Sequence, residues 1–159
     1  MNRSHDLDIR IAYNELIERC SKEYGNAGIS QIRSATEHMI SKLEQMDAES
    51  RKLASEKSLG LSRMAVSELG VDPLGVTTVI VLPLVDQKNF LLEDIHKHVG
   101  EREAKILGEL LKINALDTET TGKHAENMRN LILSMSSDFR VILIKIAEHL
   151  YLMRMSRKS

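Results

Sequence analysis

Glu148 and His149 lie inside DFRVILIKIAEHLYLMR (Asp138–Arg154), a stretch that is otherwise apolar between Asp138, Arg140, Lys145 and Arg154. A carboxylate beside an imidazole can serve acid–base or metal chemistry, and on a buried helix both groups must be paired or neutralised. His96 and His98 suggest a second metal pair, but positions i and i+2 of a helix point to different sides, so they read as solvated helix histidines. His124 and Glu126 read as the start of a helix. Cys20 is the single cysteine and falls on an apolar helix face, which fits a core thiol better than a nucleophile. GLSRMAVSELG (Gly60–Gly70) carries glycines without the spacing or the Lys-Ser/Thr end of a phosphate-binding loop. Spacing supports no Ser-His-Asp arrangement. The eight methionines recur at helical intervals and read as core, and Arg154 and Arg157 read as a solvated basic end.

The composition narrows the function classes. The 159 residues suit one domain, and 42% hydrophobic with 28% charged residues allows both a core and a solvated surface. Aromatic residues make up 3%, so the core must be built from Leu, Ile, Val, Met and Ala. A net charge of −1 supplies no global positive field to gather DNA, RNA or anionic lipid. One cysteine makes neither an internal disulfide nor a cysteine-based metal centre, which fits a reducing compartment. The polar N-terminus MNRSHDLDIR has no signal-type apolar region, and no apolar run reaches the ~18–20 residues of a membrane span. A cytoplasmic protein is the expectation.

The elements that must position these groups are helices. Pro occurs twice and Gly eight times, a scarcity of breakers. Ile9, Ala12, Tyr13, Leu16, Ile17 and Cys20 give the 3–4 spacing of an amphipathic helix over 6–24, stopped by GNAG at Gly25–Gly28. A second helix is predicted from Ser30 to Met46, burying Ile32, Ala35, Met39, Ile40 and Leu43. Asp47–Gly60 is polar and fits either a helix extension or a mobile loop, followed by a short helix from Ser62 to Leu69. GVTTVIVLPLV (Gly75–Val85) has the β-branched content of a strand, but Pro83 opposes a central strand and no second convincing strand exists to pair with it. It is predicted as a buried helix loosened near Pro83. Helices are predicted over Leu91–Val99 and Glu101–Ile113, split at Gly100, then a polar loop, then helices over His124–Ser136 and Asp138–Met155. The last, apolar nearly all round, is expected at the centre of the bundle. Asp138 suits its N-cap.

AENMRNLILSMSSDFRVILIKIAEHLYLMR (Ala125–Arg154) resembles the hydrolase domain of RelA/SpoT enzymes, which make and degrade (p)ppGpp in the stringent response. The family reads A-E-N-x-R-K-x-x-x-x-M-x-x-D-x-R-V-I-L-I-K-[LI]-A-D-R-L-H-N-M-R there. LLEDIHKHVGEREAKILGELLKI (Leu91–Ile113) and MAVSELG (Met64–Gly70) resemble further family segments, so the likeness covers Met64–Arg154 well and the first sixty residues weakly. It implies an all-α, HD-domain-like helical bundle over 1–159. It also implies a divalent metal, Mn²⁺ in this family, that activates water to release the 3′-pyrophosphate.

Residue by residue, the resemblance departs at that centre. The family's first His ligand corresponds to Ser62. Its His-Asp pair corresponds to Leu82 and Pro83, and the following acidic pair to Asp86 and Gln87. The ligand Asp of A-D-R-L-H-N corresponds to Glu148, and a substrate-touching Asn to Leu152. Leu and Pro offer a cation no donor, and one carboxylate makes no site. The implied reading is a degenerate hydrolase domain with no catalytic residue, no metal ligand and no cofactor of its own. Leu82, Pro83 and Leu152 are expected to fill the vacated pocket, with Glu148 and His149 as remnants. The chain is expected to be an N-terminal piece of a longer protein, with an adjacent synthetase domain as partner, a guanine nucleotide as possible ligand, and neither DNA nor membrane. The alternatives are an active Mn²⁺-dependent nucleotide pyrophosphohydrolase built from Glu148, Asp86 and a recruited His, and a helical interaction module.

Overall fold

Buried apolar side chains at 3–4 spacing run along α1 (Arg3–Tyr24) and α2 (Ile29–Glu44) of the computed structural model, and that spacing sets how they pack. Residues 3–86, 91–119 and 138–158 are described, with side chains at 6–86, 91–113 and 138–157. The described elements are α1 (Arg3–Tyr24), α2 (Ile29–Glu44), α3 (Ala48–Ser67), α4 (Pro73–Val81) with a 3-10 turn over Leu82–Asp86, α5 (Leu92–Val99), α6 (Glu101–Glu119) and α7 (Phe139–Lys158). There is no strand among the described residues, so the all-α expectation holds.

Glycines set the break between the first two helices. Gly25 and Gly28 have φ of 67° and 74°, the left-handed region that glycine enters without penalty, and they separate α1 from α2. Gly28 also lies against Pro73, where a Cβ would collide with the proline ring.

The polar region after α2 is helix, not loop. Asp47 caps α3 by accepting from the Ser50 amide at 2.8 Å. Arg51, 7% exposed, folds back so that Nε donates to the Leu43 carbonyl at 2.9 Å and Nη2 to the Met46 carbonyl at 2.8 Å. It thereby ties the first turn of α3 to the end of α2. Ala54, Ser55 and Ser58 are buried on the same helix. The helix expected from Ser62 therefore begins at Ala48. Its inner face is too polar to show an apolar period, because serine and arginine take core positions by hydrogen bonding.

α4 is the centre of the bundle. Asp72 caps it by accepting from the Gly75 amide at 3.0 Å, and Pro73 sits in its first turn, where no amide donor is needed. Every residue from Gly75 to Val81 is buried, and α2, α3, α5, α6 and α7 all pack on it. Thr77 and Thr78 satisfy their hydroxyls by donating to the carbonyls of Pro73 and Leu74, four residues back. At Pro83 the missing amide donor ends the α-helical ladder and the chain tightens into the 3-10 turn, as the sequence predicts.

The expectation that the last helix is central is corrected. Val141, Ile144 and Ala147 of α7 are buried, but Phe139, Ile146, Leu152 and Met153 are exposed. α7 carries charged groups along its length and covers α3, α6 and α4 from one side, whereas α4 has none and can be enclosed. Asp138 caps α7 as expected, accepting from the Arg140 amide at 2.9 Å. α6 runs on to Glu119, past the expected end at Ile113. The expected helix His124–Ser136 lies outside the described residues. No helix among the described residues is long and apolar enough to cross a membrane.

Candidate functional site: a lysine between two acids

α3 and α7 cross where Gly60 meets Tyr151. A Cβ on Gly60 would lie 2.8 Å from the Tyr151 ring, so only glycine allows this approach without a shift. One turn earlier on each helix stand Lys57 and Glu148, and the 3-10 turn after α4 brings Asp86 to the same place. Pairing of Lys57 with Glu148, Gly60 with Tyr151 and Glu68 with Arg154 means that both helices run in the same sense across the contact.

Lys57 Nζ lies 3.0 Å from Asp86 Oδ2 and 3.5 Å from Glu148 Oε2. Glu148 is 7% exposed and Lys145, one turn before it, is 6% exposed, with Nζ 3.7 Å from Glu148 Oε1. Burial works against the Lys57 charge, but the carboxylates of Asp86 and Glu148 outweigh it and hold the ammonium above its ordinary pKa. The core beneath is also polar. Tyr13 donates to Ser58 Oγ at 2.7 Å, and Ser58 donates to the Ile80 carbonyl at 2.6 Å, joining α1, α3 and α4.

The positions singled out in the sequence fall into three groups. Asp86 and Glu148 come together, on either side of Lys57. Ser62, Leu82 and Pro83 are buried, and Ser62 Oγ has no hydrogen-bond partner among the described residues. Ser62 is one helical turn beyond Ser58, on the face of α3 that meets α4. Leu152 departs from expectation. It is 59% exposed and fills no pocket: although i and i+4 share a helix face, the end of α7 runs past the packed part of the bundle, and residues 152–157 are all exposed. His149 is exposed as well, next to the buried Glu148 rather than beside it on one face. Gln87 lies outside the described residues, as do His124 and Glu126.

The divalent metal that the resemblance implies does not fit the residues present. Leu82 and Pro83 have no donor atom, Ser62 offers a neutral hydroxyl, and Glu148 already faces two ammonium groups. No group of three His, Cys, Asp or Glu side chains among the described residues could hold a metal ion. The alternative site of Glu148, Asp86 and a recruited His gains its first two members but no imidazole among the described residues.

Lys57 was not legible as a site residue. It stands in a polar run whose helical register only folding reveals. A second cluster was also missed. His38, 7% exposed, stacks on His98 with ring centroids 4.2 Å apart, and its Nε2 has no hydrogen-bond partner among the described residues. The two rings line an open cleft of about 440 Å³ with Glu37, Lys42 and Asp94. The expected separation of His96 and His98 holds, since only His98 takes part. Cys20 is buried, and burial pushes its thiol up to about 11, consistent with a core role.

The comparisons with known proteins agree with this architecture. The HD domain family matches residues 35–159. A probable guanosine-3′,5′-bis(diphosphate) 3′-pyrophosphohydrolase of Synechocystis is 31% identical over 88 residues, covering 55% of this chain and 12% of that protein. The guanosine-3′,5′-bis(diphosphate) 3′-pyrophosphohydrolase of Aquifex aeolicus is 31% identical over 87 residues, 55% of this chain and 12% of its own length. A GTP pyrophosphokinase of Streptomyces coelicolor is 27% identical over 92 residues, 58% of this chain and 11% of its own. No solved structure matches. The chain belongs to the HD domain family, and within it to the RelA/SpoT type. Its matched stretch spans about one-eighth of the length of these relatives, as the 12% share states.

Proposed function

We propose that this chain is a RelA/SpoT-type HD domain that has lost (p)ppGpp 3′-pyrophosphohydrolase activity and serves as a regulatory module of an alarmone enzyme in the cytoplasm. The observation that carries the reading is the buried, donor-free Leu82–Pro83 turn, which the resemblance matches to the family's His-Asp pair. A hydrolase of this type needs a Lewis acid there to activate water, and hydrocarbon supplies none. A domain without turnover can still act on a synthetase domain of the same protein by favouring one of its conformations, provided it packs differently against each. Phe139, Ile146 and Met153, spaced by seven along α7 and all exposed, offer an apolar edge for such contact.

The test is pyrophosphate release from ppGpp by the purified chain in saturating Mn²⁺, beside a relative with an intact His-Asp pair. No release above the buffer rate is expected. Turnover that disappears in Glu148→Ala would overturn the reading and favour the active-hydrolase alternative.

A further inference from the structure

Asp86 and Glu148 are far apart in the chain, on a 3-10 turn and on α7, and both carboxylates converge on the Lys57 ammonium from α3. This differs from a surface ion pair in two ways. The Glu148 side chain is 9% exposed and that of Lys57 22% exposed, so water screens neither fully, while Asp86, 50% exposed, closes the site on its solvent side. The cation also stands at a junction of three elements, where its charge lies between two acids, and Lys145 Nζ lies 3.7 Å from the other Glu148 oxygen. Carboxylates from separate elements converging on one point is the arrangement that an inorganic cation usually organises. Here the charge arrives on a four-carbon stem, independent of any ion in solution.

We propose that Lys57 is the resident cation of this site: its ammonium, with Lys145 as the second positive charge beside Glu148, takes the place of a divalent metal between Asp86 and Glu148 and closes that place to Mn²⁺. The proposal rests on the functional reading above for the choice of metal, and on the Lys57 geometry for everything else. It explains why Glu148 is buried without a metal-binding set around it among the described residues. It also makes the junction of α3, the turn and α7 indifferent to metal concentration.

The experiment is thermal unfolding of the whole chain with and without millimolar Mn²⁺, alongside the electron paramagnetic resonance signal of free Mn²⁺. The wild-type Tm is expected to be unchanged by Mn²⁺ and the free signal undiminished. Lys57→Ala is expected to melt lower and to regain about 3–6 °C at Mn²⁺ near ten times its Kd. Adding Glu148→Gln to that variant should abolish the Mn²⁺ response. Should Lys57→Ala not fold, Lys57→Gln keeps most of the stem and is read the same way, and the wild-type resonance measurement needs no variant. Wild-type binding of Mn²⁺ that is lost in Glu148→Gln would overturn the proposal. So would a Lys57 variant that melts lower but ignores Mn²⁺, because the lysine would then be an ordinary ion pair. These readouts do not involve turnover. Hydrolysis of ppGpp by a protein whose Glu148 binds no Mn²⁺ would defeat the functional reading and leave this one standing.

Discussion

Arg140 ties the start of α7 to the start of α4. Its Nε lies 2.9 Å from both Asp72 oxygens, and its Nη1 is 3.0 Å from Asp138 Oδ2. The fork shape of guanidinium matters here, since one side chain must hold two helix caps together. Arg140→Ala is expected to lower the unfolding free energy by about 1–2 kcal/mol in urea titrations, with Arg140→Lys recovering less than half of that loss. Hydrogen bonding from Arg140 holds the Asp72 carboxyl below its ordinary value of 3.8. A depressed carboxyl stabilises the fold above pH 3.8, and that contribution is lost as pH falls below it toward the depressed value. Asp72→Asn keeps an acceptor for the cap but should flatten the stability profile in that acid range.

At the scale of the helix, α3 carries most of what was hidden. Its inner face mixes Arg51, Ser55 and Ser58 with Ala54, Leu61 and Ala65, so it has little apolar rhythm, yet it meets α1, α4 and α7. Asp47→Ala should destabilise the protein by about 1 kcal/mol through loss of the cap. Gly60→Val is the stronger test of the α3–α7 crossing. The added branches meet the Tyr151 ring and should cost about 1–3 kcal/mol, with Tyr151→Ala in the same chain recovering part of it, read by chemical denaturation. α4 sets the other limit. Buried along its length and capped at Asp72, it should hold the slowest-exchanging amides among the described helices in native-state hydrogen exchange.

For the molecule as a whole, the His38 cluster sets a second pH response. Burial, then the adjacent His98 and the Lys42 charge, push His38 down to about 4 from 6.5, against the opposing pull of Asp94. The folded protein therefore keeps this ring neutral where the unfolded chain takes up a proton. Above pH 6.5 the group contributes nothing, and as pH falls from 6.5 to 4 the unfolded state gains, so stability drops. The loss should be on the order of 2 kcal/mol, and His38→Gln should remove most of it in denaturant titrations at pH 7 and pH 4.5. The Asp72 effect begins only below that window, so the two can be separated.

Apolar spacing and breaker residues alone determined the helical class, the buried helix over the Val-rich run, its loosening at Pro83 and the break at Gly100. Each depends on residues within one or two turns, where backbone sterics and face periodicity act. The family likeness was also legible, because Ala125–Arg154 keeps its residue order. Tertiary structure alone decided that α4 and not α7 is central, that Asp47–Gly60 is helix, and that Leu152 faces solvent while Glu148 faces the core. It also decided that Lys57 meets Asp86, 29 positions away, and Glu148 beyond it. A charge in a polar run carries no mark of its distant partners. Which lysine lies between two acids follows from how three elements cross, and that crossing is set by the shape of Gly60, Tyr151 and the turn at Pro83 together.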